Sequence, residues 1–180
     1  MIAAGGITMA TRVAGDAGPR PKPILTPDGY DRFLAAAALV LLGFVAVALW
    51  RGRDEWGEVP TFVWAHIATI VLALCLTPVM LLRRRGDRLH RRLGWIWVGA
   101  MGLTALLTFW IRGLNGGSLS VIHILSAWTL VQVPLIVWAA RGHKVARHRA
   151  AVRGMVTGAL VIAGAFTFPF GRLLGDWLFG

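Results

Sequence analysis

Five apolar stretches dominate the hydropathy pattern, and each is near the length needed to cross a bilayer. They cover residues 33–50, 61–82, 93–111, 120–140 and 151–170. A helix needs about 20 apolar residues to span the hydrocarbon layer, so the pattern predicts five transmembrane helices. The preceding residues contain four prolines and no compact apolar run. We therefore expect a flexible tail over residues 1–31 and a transmembrane domain over residues 32–180.

Lysine and arginine are concentrated in alternate segments of the chain. Fifteen of the 19 lie in the tail, between the second and third stretches, or around the connection between the fourth and fifth. Because cytoplasmic loops are enriched in these residues, we expect the N-terminus inside the bacterial inner membrane and the C-terminus outside. The net charge of +11 then indicates contact with anionic lipid headgroups. It does not favour a nucleic-acid partner.

The second and third stretches share a plan with the fourth and fifth, so residues 61–111 and 119–170 form a tandem repeat of helical hairpins. Corresponding positions are His66 and His123, Pro78 and Pro134, and His90 and His148. Short connections favour an up-down four-helix bundle of spans two to five, in an all-α polytopic fold. The first stretch, apolar up to Trp50, is expected at the periphery. Gly154 and Gly158 are expected to permit a close helix approach.

The repeated histidines are the main functional clue. Parallel helices lie diagonally in such a bundle, which pairs His66 with His123 near the outer side and His90 with His148 near the inner side. Histidine in an apolar layer is costly without a partner, and neutral imidazole is a common iron ligand. Zinc would need further ligands, whereas haem needs only two axial nitrogens. We therefore predict haem b at paired histidines.

The two predicted pairs differ in their surroundings. His66 and His123 lie within the apolar layer on matching helix faces, each with a Thr or Ser three residues later. His90 and His148 lie at the rim, where water and lipid phosphate are alternative partners. We expect the outer pair to be the better ordered one. Arginines near these levels could hold haem propionates or lipid phosphate, namely Arg91, Arg92, Arg112 and Arg149.

Two resemblances rest on these residues. Over roughly residues 60–172 the chain resembles a bacterial family of small predicted membrane proteins of unknown function, through His66, the Leu89-His90-Arg91-Arg92-Leu93-Gly94 segment, Ile122-His123-Ile124-Leu125 and His148-Arg149. More distantly it resembles the two-haem transmembrane cytochromes b of the five-sixty-one type. That likeness implies the same pairing, first histidine with third and second with fourth. The chain departs from it in having five spans, not six, and inner histidines at the rim.

The leading hypothesis is a cytochrome b-like electron carrier that exchanges electrons with a quinol or another redox partner. An alternative is a non-catalytic membrane subunit or assembly factor of a larger complex. A third is a small proton or metal permease that uses the polar stripes beside His66 and His123. The sequence contains no nucleophile triad, phosphate loop or paired carboxylates, so it does not favour a hydrolase or nucleotide-driven transport.

Overall fold

The computed structural model describes residues 26–111, 121–169 and 171–180, and these residues are helical with no strand among them. The helices are α1 Gly29–Arg51, α2 Thr61–Leu82, α3 Arg88–Thr108, α4 Val121–Arg141, α5 Val145–Met155, α6 Ala163–Ala165 and α7 Leu173–Phe179. A 3₁₀ helix, Arg53–Glu58, follows α1, and a π-helix, Val156–Ile162, joins α5 to α6. We call residues 145–165 the fifth segment. The predicted all-α class is confirmed.

Three helices are long and apolar enough to cross a membrane: α1, α2 and residues Ile122–Arg141 of α4. Both α3 and α5 begin with arginine-rich turns, so the apolar part of each is shorter than the helix itself. These are the three such helices within the part of the chain that the structure describes.

The helices form a closed ring. Each packs against its successor from α1 to α5, and α1 closes the ring by packing against the π-helix; α7 lies against α1. The first helix is therefore a member of the ring and not a helix packed outside it, as was expected, and the predicted four-helix bundle of spans two to five is not confirmed. Its buried face is rich in small side chains, including Ala35, Ala38 and Ala48, which permit close packing. Uniform apolarity along the sequence hides this face, because lipid and protein neighbours favour the same residues.

The close approach between α1 and the fifth segment occurs at Gly164. A Cβ atom there would lie 2.4 Å from Cδ2 of Leu41, whereas a Cβ at Gly154 would meet nothing within 4 Å. At Gly158 it would make an ordinary contact of 3.7 Å with the Trp128 ring. The glycine that brings two helices together is thus not one of the two that the sequence spacing indicated.

Candidate functional site

The structure brings the rings of His90 and His148 together. Their centroids are 6.4 Å apart and their planes make an angle of 75°. His90 lies in the first turn of α3, where the Asp87 side chain accepts a hydrogen bond from its backbone N–H at 2.6 Å. Arg83 donates to the same carboxylate from Nε and Nη2, at 2.9 and 2.6 Å. The start of α3, and with it His90, is therefore fixed by a charged cap.

The second ring is oriented by a backbone carbonyl of the preceding helix. Nδ1 of His148 lies 3.2 Å from the carbonyl oxygen of Ile136. Because a carbonyl can only accept, we assign the proton to Nδ1, which leaves Nε2 of the neutral ring with a lone pair. A hydrogen bond of this kind is the usual orienting contact of a metal-ligating histidine. Nδ1 of His90 is buried and has no hydrogen-bond partner in the described parts of the chain.

Both inner rings favour the neutral form. Burial lowers the pKa of His90 below its usual 6.5, and the nearby His148 and Arg85 lower it further. Burial also lowers the pKa of His148, and the hydrogen bond to Ile136 opposes this only in part. Neutral imidazole is the form that ligates a metal.

A cavity of about 510 Å³, here called the inner cavity, is lined by both inner histidines. Its walls include the apolar side chains of Met80, Trp97 and Val152. Trp97 is held in place because its Nε1 donates to Oγ1 of Thr77 at 2.9 Å. Ligand sites in proteins commonly have volumes of about 300–1,000 Å³ and apolar walls with few polar groups. The inner cavity has such a volume and apolar side chains in its walls, and it is also lined by five arginines and by Asp31.

A buried ion-pair cluster adjoins this cavity, and we call it the Asp31 cluster: Asp28, Asp31, Arg85, Arg149 and Arg153. Asp31 has no exposed surface and binds all three arginines, at 2.6 Å to Arg85, 2.8 Å to Arg149 and 2.9 Å to Arg153. Arg149 also contacts Asp28 at 2.8 Å, and Arg153 pairs with Asp28. The cluster joins the start of α1, the α2–α3 loop and α5.

Sequence analysis missed this cluster because it assigned Asp31 to the tail. The signal that could have found it is the capping box, in which Asp28 and Asp31 each accept a backbone N–H of the other. That box starts α1 at Gly29 and turns the Asp31 carboxylate toward the arginines. Arg153 beside Asp28 lowers the pKa of that carboxyl to about 2. The cluster is therefore charged at neutral pH.

The outer histidines lie beside the C-terminal end of α3. Nδ1 of His66 lies 3.2 Å from the carbonyl oxygen of Thr104. His123 is 4% exposed, and its ring centroid lies 5.6 Å from that of Phe109. A second cavity of about 380 Å³, the outer cavity, is lined by His66, whereas His123 is not among the described residues that line it. The structure thus brings together the pair that sequence reasoning ranked second.

The four predicted anion-binding arginines have different environments. Arg91 lines the inner cavity and donates to the carbonyl oxygen of Gly86 at 3.2 Å. Arg92 is exposed. Arg149 lines the inner cavity and also belongs to the Asp31 cluster. Arg112 lies outside the described residues. Contact of these groups with propionate or lipid phosphate stays a prediction.

Two histidines without further protein ligands favour a metal whose other ligands come from a cofactor. Within residues 26–111, 121–169 and 171–180, no group of three or more His, Cys, Asp or Glu side chains could hold an ion. Two imidazoles on opposite sides of one metal, each bonded at about 2.0–2.1 Å, have ring centres about 6–6.5 Å apart. The 6.4 Å between His90 and His148 fits that requirement. Haem iron needs two such nitrogens and no other protein ligand.

Comparison with known proteins finds no match to a family model, to a curated protein or to a solved structure. The function is therefore inferred from the residues of this chain and their geometry.

Proposed function

We propose that the protein is a bacterial inner-membrane, b-type cytochrome-like electron carrier that binds haem b between His90 and His148. The observation that supports this most is the 6.4 Å separation of the two rings at the wall of a ligand-sized cavity. The lowered pKa values favour neutral rings at both positions, and the hydrogen bond to the Ile136 carbonyl fixes the direction of the His148 ring. Bound haem supplies one-electron transfer.

The chain's own residues would each contribute something definite to such a site. His90 and His148 would hold the haem iron, and apolar side chains of the inner cavity would contact the rest of the group. Arg91 and Arg149 line the same cavity and would offer cations to the propionates. The Asp31 carboxylate offsets part of this positive charge. It also fixes α5, which carries His148, against the loop that leads to His90.

The membrane part of the proposal is supported by three spanning-length helices and by apolar side chains on the outside of the ring. Examples are Phe33 at 63% exposure, Val40 at 60% and Ile124 at 70%. Side chains of this kind suit lipid as a neighbour. We propose that the apolar parts of α3 and of the fifth segment, which begin after His90 and His148, also span the membrane, which gives five spans in total. The basic segments then lie inside and the C-terminus outside.

Reporter fusions test this topology. A reporter that works only in the periplasm, fused after Gly180, should be active, and the same reporter placed after Arg85 should be inactive. The expected contrast follows from the arginine-rich α2–α3 loop. The opposite pattern, or equal activity at both positions, would overturn the orientation.

The optical spectrum of the purified protein tests the haem proposal. We expect a sharp alpha band after reduction with dithionite, as for six-coordinate haem with two histidines. A second haem at His66 and His123, which the sequence predicts, would add a second set of bands. Colourless protein purified from haem-replete cells would contradict the proposal.

One observation favours a second candidate, a non-catalytic subunit or assembly factor of a larger membrane complex. The Asp31 cluster alone is enough to hold the α2–α3 loop against α5, which would place His90 beside His148 without any cofactor. In that case the rings would serve packing only. The spectrum separates the two candidates, because the structural role predicts no haem absorption.

A further inference from the structure

The outer cavity differs from the inner one in its polar groups. Its walls are mainly apolar and come from α1, α2, α3, α4 and the fifth segment. Five hydroxyl side chains line it beside His66, at positions Thr104, Thr108, Ser126, Thr129 and Thr167. Arg172 lies at its edge, between the fifth segment and α7.

The hydroxyl groups of this cavity already donate hydrogen bonds to other groups of the protein. Ser126 donates to the carbonyl oxygen of Ile122 at 3.0 Å, and Thr129 donates to that of Leu125 at 2.9 Å. Thr167 donates to the carbonyl of Ala163, and Thr108 donates to that of Thr104 at 2.9 Å. Thr104 itself donates to Oγ1 of Thr69 at 2.7 Å. A hydroxyl has one proton and two lone pairs. Toward a ligand, these five side chains can therefore act only as acceptors.

His66 presents the same polarity. Its Nδ1 faces the Thr104 carbonyl and carries the proton in the neutral ring. Nε2 makes no hydrogen bond with the described residues and keeps its lone pair for a donor. The hydrogen bond at Nδ1 orients the ring, and Nε2 is available to accept a hydrogen bond.

Arg172 is the exception, a donor without an acceptor. Within the described residues its guanidinium forms neither a hydrogen bond nor an ion pair, and its Nε is buried. Burial lowers the pKa of this group. A cation in such a position favours an oxygen ligand with a full or partial negative charge.

We propose that the outer cavity binds a hydroquinone-class molecule, an apolar ring with two hydroxyl groups. One hydroxyl donates to His66, and the oxygen of the other accepts from Arg172. The remaining hydroxyl proton has Thr or Ser oxygens as partners. A carboxylate or a quinone brings acceptors only, which would leave the acceptor-rich wall unsatisfied. A cavity of about 380 Å³ is also at the small end of ligand sites, which suits one substituted ring.

Calorimetry on the full chain in detergent micelles tests this proposal, with empty micelles as the blank. The probe is an alkyl-substituted 1,4-hydroquinone under anaerobic conditions, and the comparison ligands are its dimethyl ether, the matching quinone and a fatty acid of similar length. We expect saturable one-site binding of the hydroquinone. The other three should bind about tenfold more weakly or not at all, because a site that lacks a hydrogen-bond partner rejects the analogue.

Two variants locate the site. Arg172→Met and His66→Phe should each weaken hydroquinone binding about tenfold, the typical effect of losing one strong hydrogen bond. Arg53→Met is the matched control, since Arg53 is an exposed arginine outside the cavity, and it should bind as the wild type does. If His66→Phe does not fold, Arg172→Met alone decides the result, because Arg172 is partly exposed.

Equal binding of the dimethyl ether or the fatty acid would overturn the proposal, as would wild-type affinity in Arg172→Met. So would a second haem signal lost in His66→Ala. The binding measurement does not depend on haem, so a colourless protein that binds hydroquinone would remove the cytochrome proposal and leave this one standing.

Discussion

The two ends of the helix ring use charge in opposite ways. At the inner end, Asp31 is fully buried and binds three arginines, and two histidine rings meet beside it. At the outer end, Arg172 has no partner among the described residues, and the polar groups of the cavity are mostly acceptors. The charged groups of the inner end are paired with one another, which fixes the elements that carry the two histidines and suits a fixed cofactor. The outer end retains hydrogen-bonding capacity for a ligand that comes and goes.

Loss of the buried carboxylate should have the largest effect on stability. Asp31→Asn leaves Arg85, Arg149 and Arg153 with one carboxylate between them, and removing one partner of a buried pair typically costs about 3–5 kcal/mol. The arginines of the cluster are themselves mostly buried, with side-chain exposures of 7%, 14% and 21%. We expect a large drop in the thermal denaturation midpoint of the detergent-solubilised protein.

Asp54→Asn is the matched control at the outer end. Asp54 is paired with Arg53 at 3.7 Å, but its side chain is 86% exposed. Exposed pairs contribute about 0–1 kcal/mol, so the midpoint should barely move. Equal effects of the two substitutions would remove the distinction between a satisfied inner end and an open outer end.

A smaller effect is expected where α1 meets the fifth segment. Gly164→Ala would place a methyl group 2.4 Å from Cδ2 of Leu41, and overpacking of this kind costs about 1–3 kcal/mol unless the leucine changes rotamer. Gly154→Ala meets open space and should be neutral or slightly stabilising, because alanine favours the helix by about 1 kcal/mol. Thermal denaturation of both variants checks this order. If Gly154→Ala were less stable than Gly164→Ala, the close approach of the helices would not lie at Gly164.

The smallest effect concerns pH and the inner rings. His90 and His148 have pKa values below 6.5 in the fold, so the unfolded chain binds protons more readily. Above pH 6.5 both states are neutral and the shift has no effect; as pH falls below 6.5, stability is lost. In protein prepared without haem, whose inner rings are free to titrate, we expect the midpoint to fall by a few degrees between pH 7 and pH 5, since about 1 kcal/mol corresponds to 2–4 °C in a chain of this size.

A variant that cannot titrate at the inner pair gives the control. His90→Phe with His148→Phe should show a flatter dependence between pH 7 and pH 5 than the wild type. The Asp28 carboxylate does not interfere in this range, because its pKa is lowered to about 2 and its contribution is lost only below its usual value of 3.8. An unchanged slope in the double variant would show that other groups dominate.

Much of the helix pattern could be predicted because apolar length is a local property. The second stretch, 61–82, coincides with α2, and the fourth, 120–140, differs from α4 by one residue at each end. The third and fifth were predicted to start five and six residues late, at 93 and 151, since α3 and α5 begin inside arginine-rich turns that hydropathy assigns to loops. The repeat also predicted that His90 and His148 belong together.

The Asp31 cluster and the partners of the outer histidines could not be predicted, because they depend on contacts between distant parts of the chain. Asp31 follows a proline-rich tail, and nothing local reveals that Arg85 and Arg153, 54 and 122 residues away, converge on it. The outer pair was ranked first because both rings share a Thr or Ser stripe. Those hydroxyls instead bond to backbone carbonyls or to each other, and His66 turns to α3. Helix periodicity gives a face but not which neighbour fills it.

The most direct test of the central claim is the reduced-minus-oxidised spectrum of four histidine variants beside the wild type. His90→Ala and His148→Ala should each abolish the same alpha band, because haem then lacks one axial ligand. His66→Ala and His123→Ala, which lie at the other end of the ring, should retain it at close to wild-type intensity. Loss of the band only in His66→Ala and His123→Ala, or a wild-type protein without haem absorption, would contradict the account.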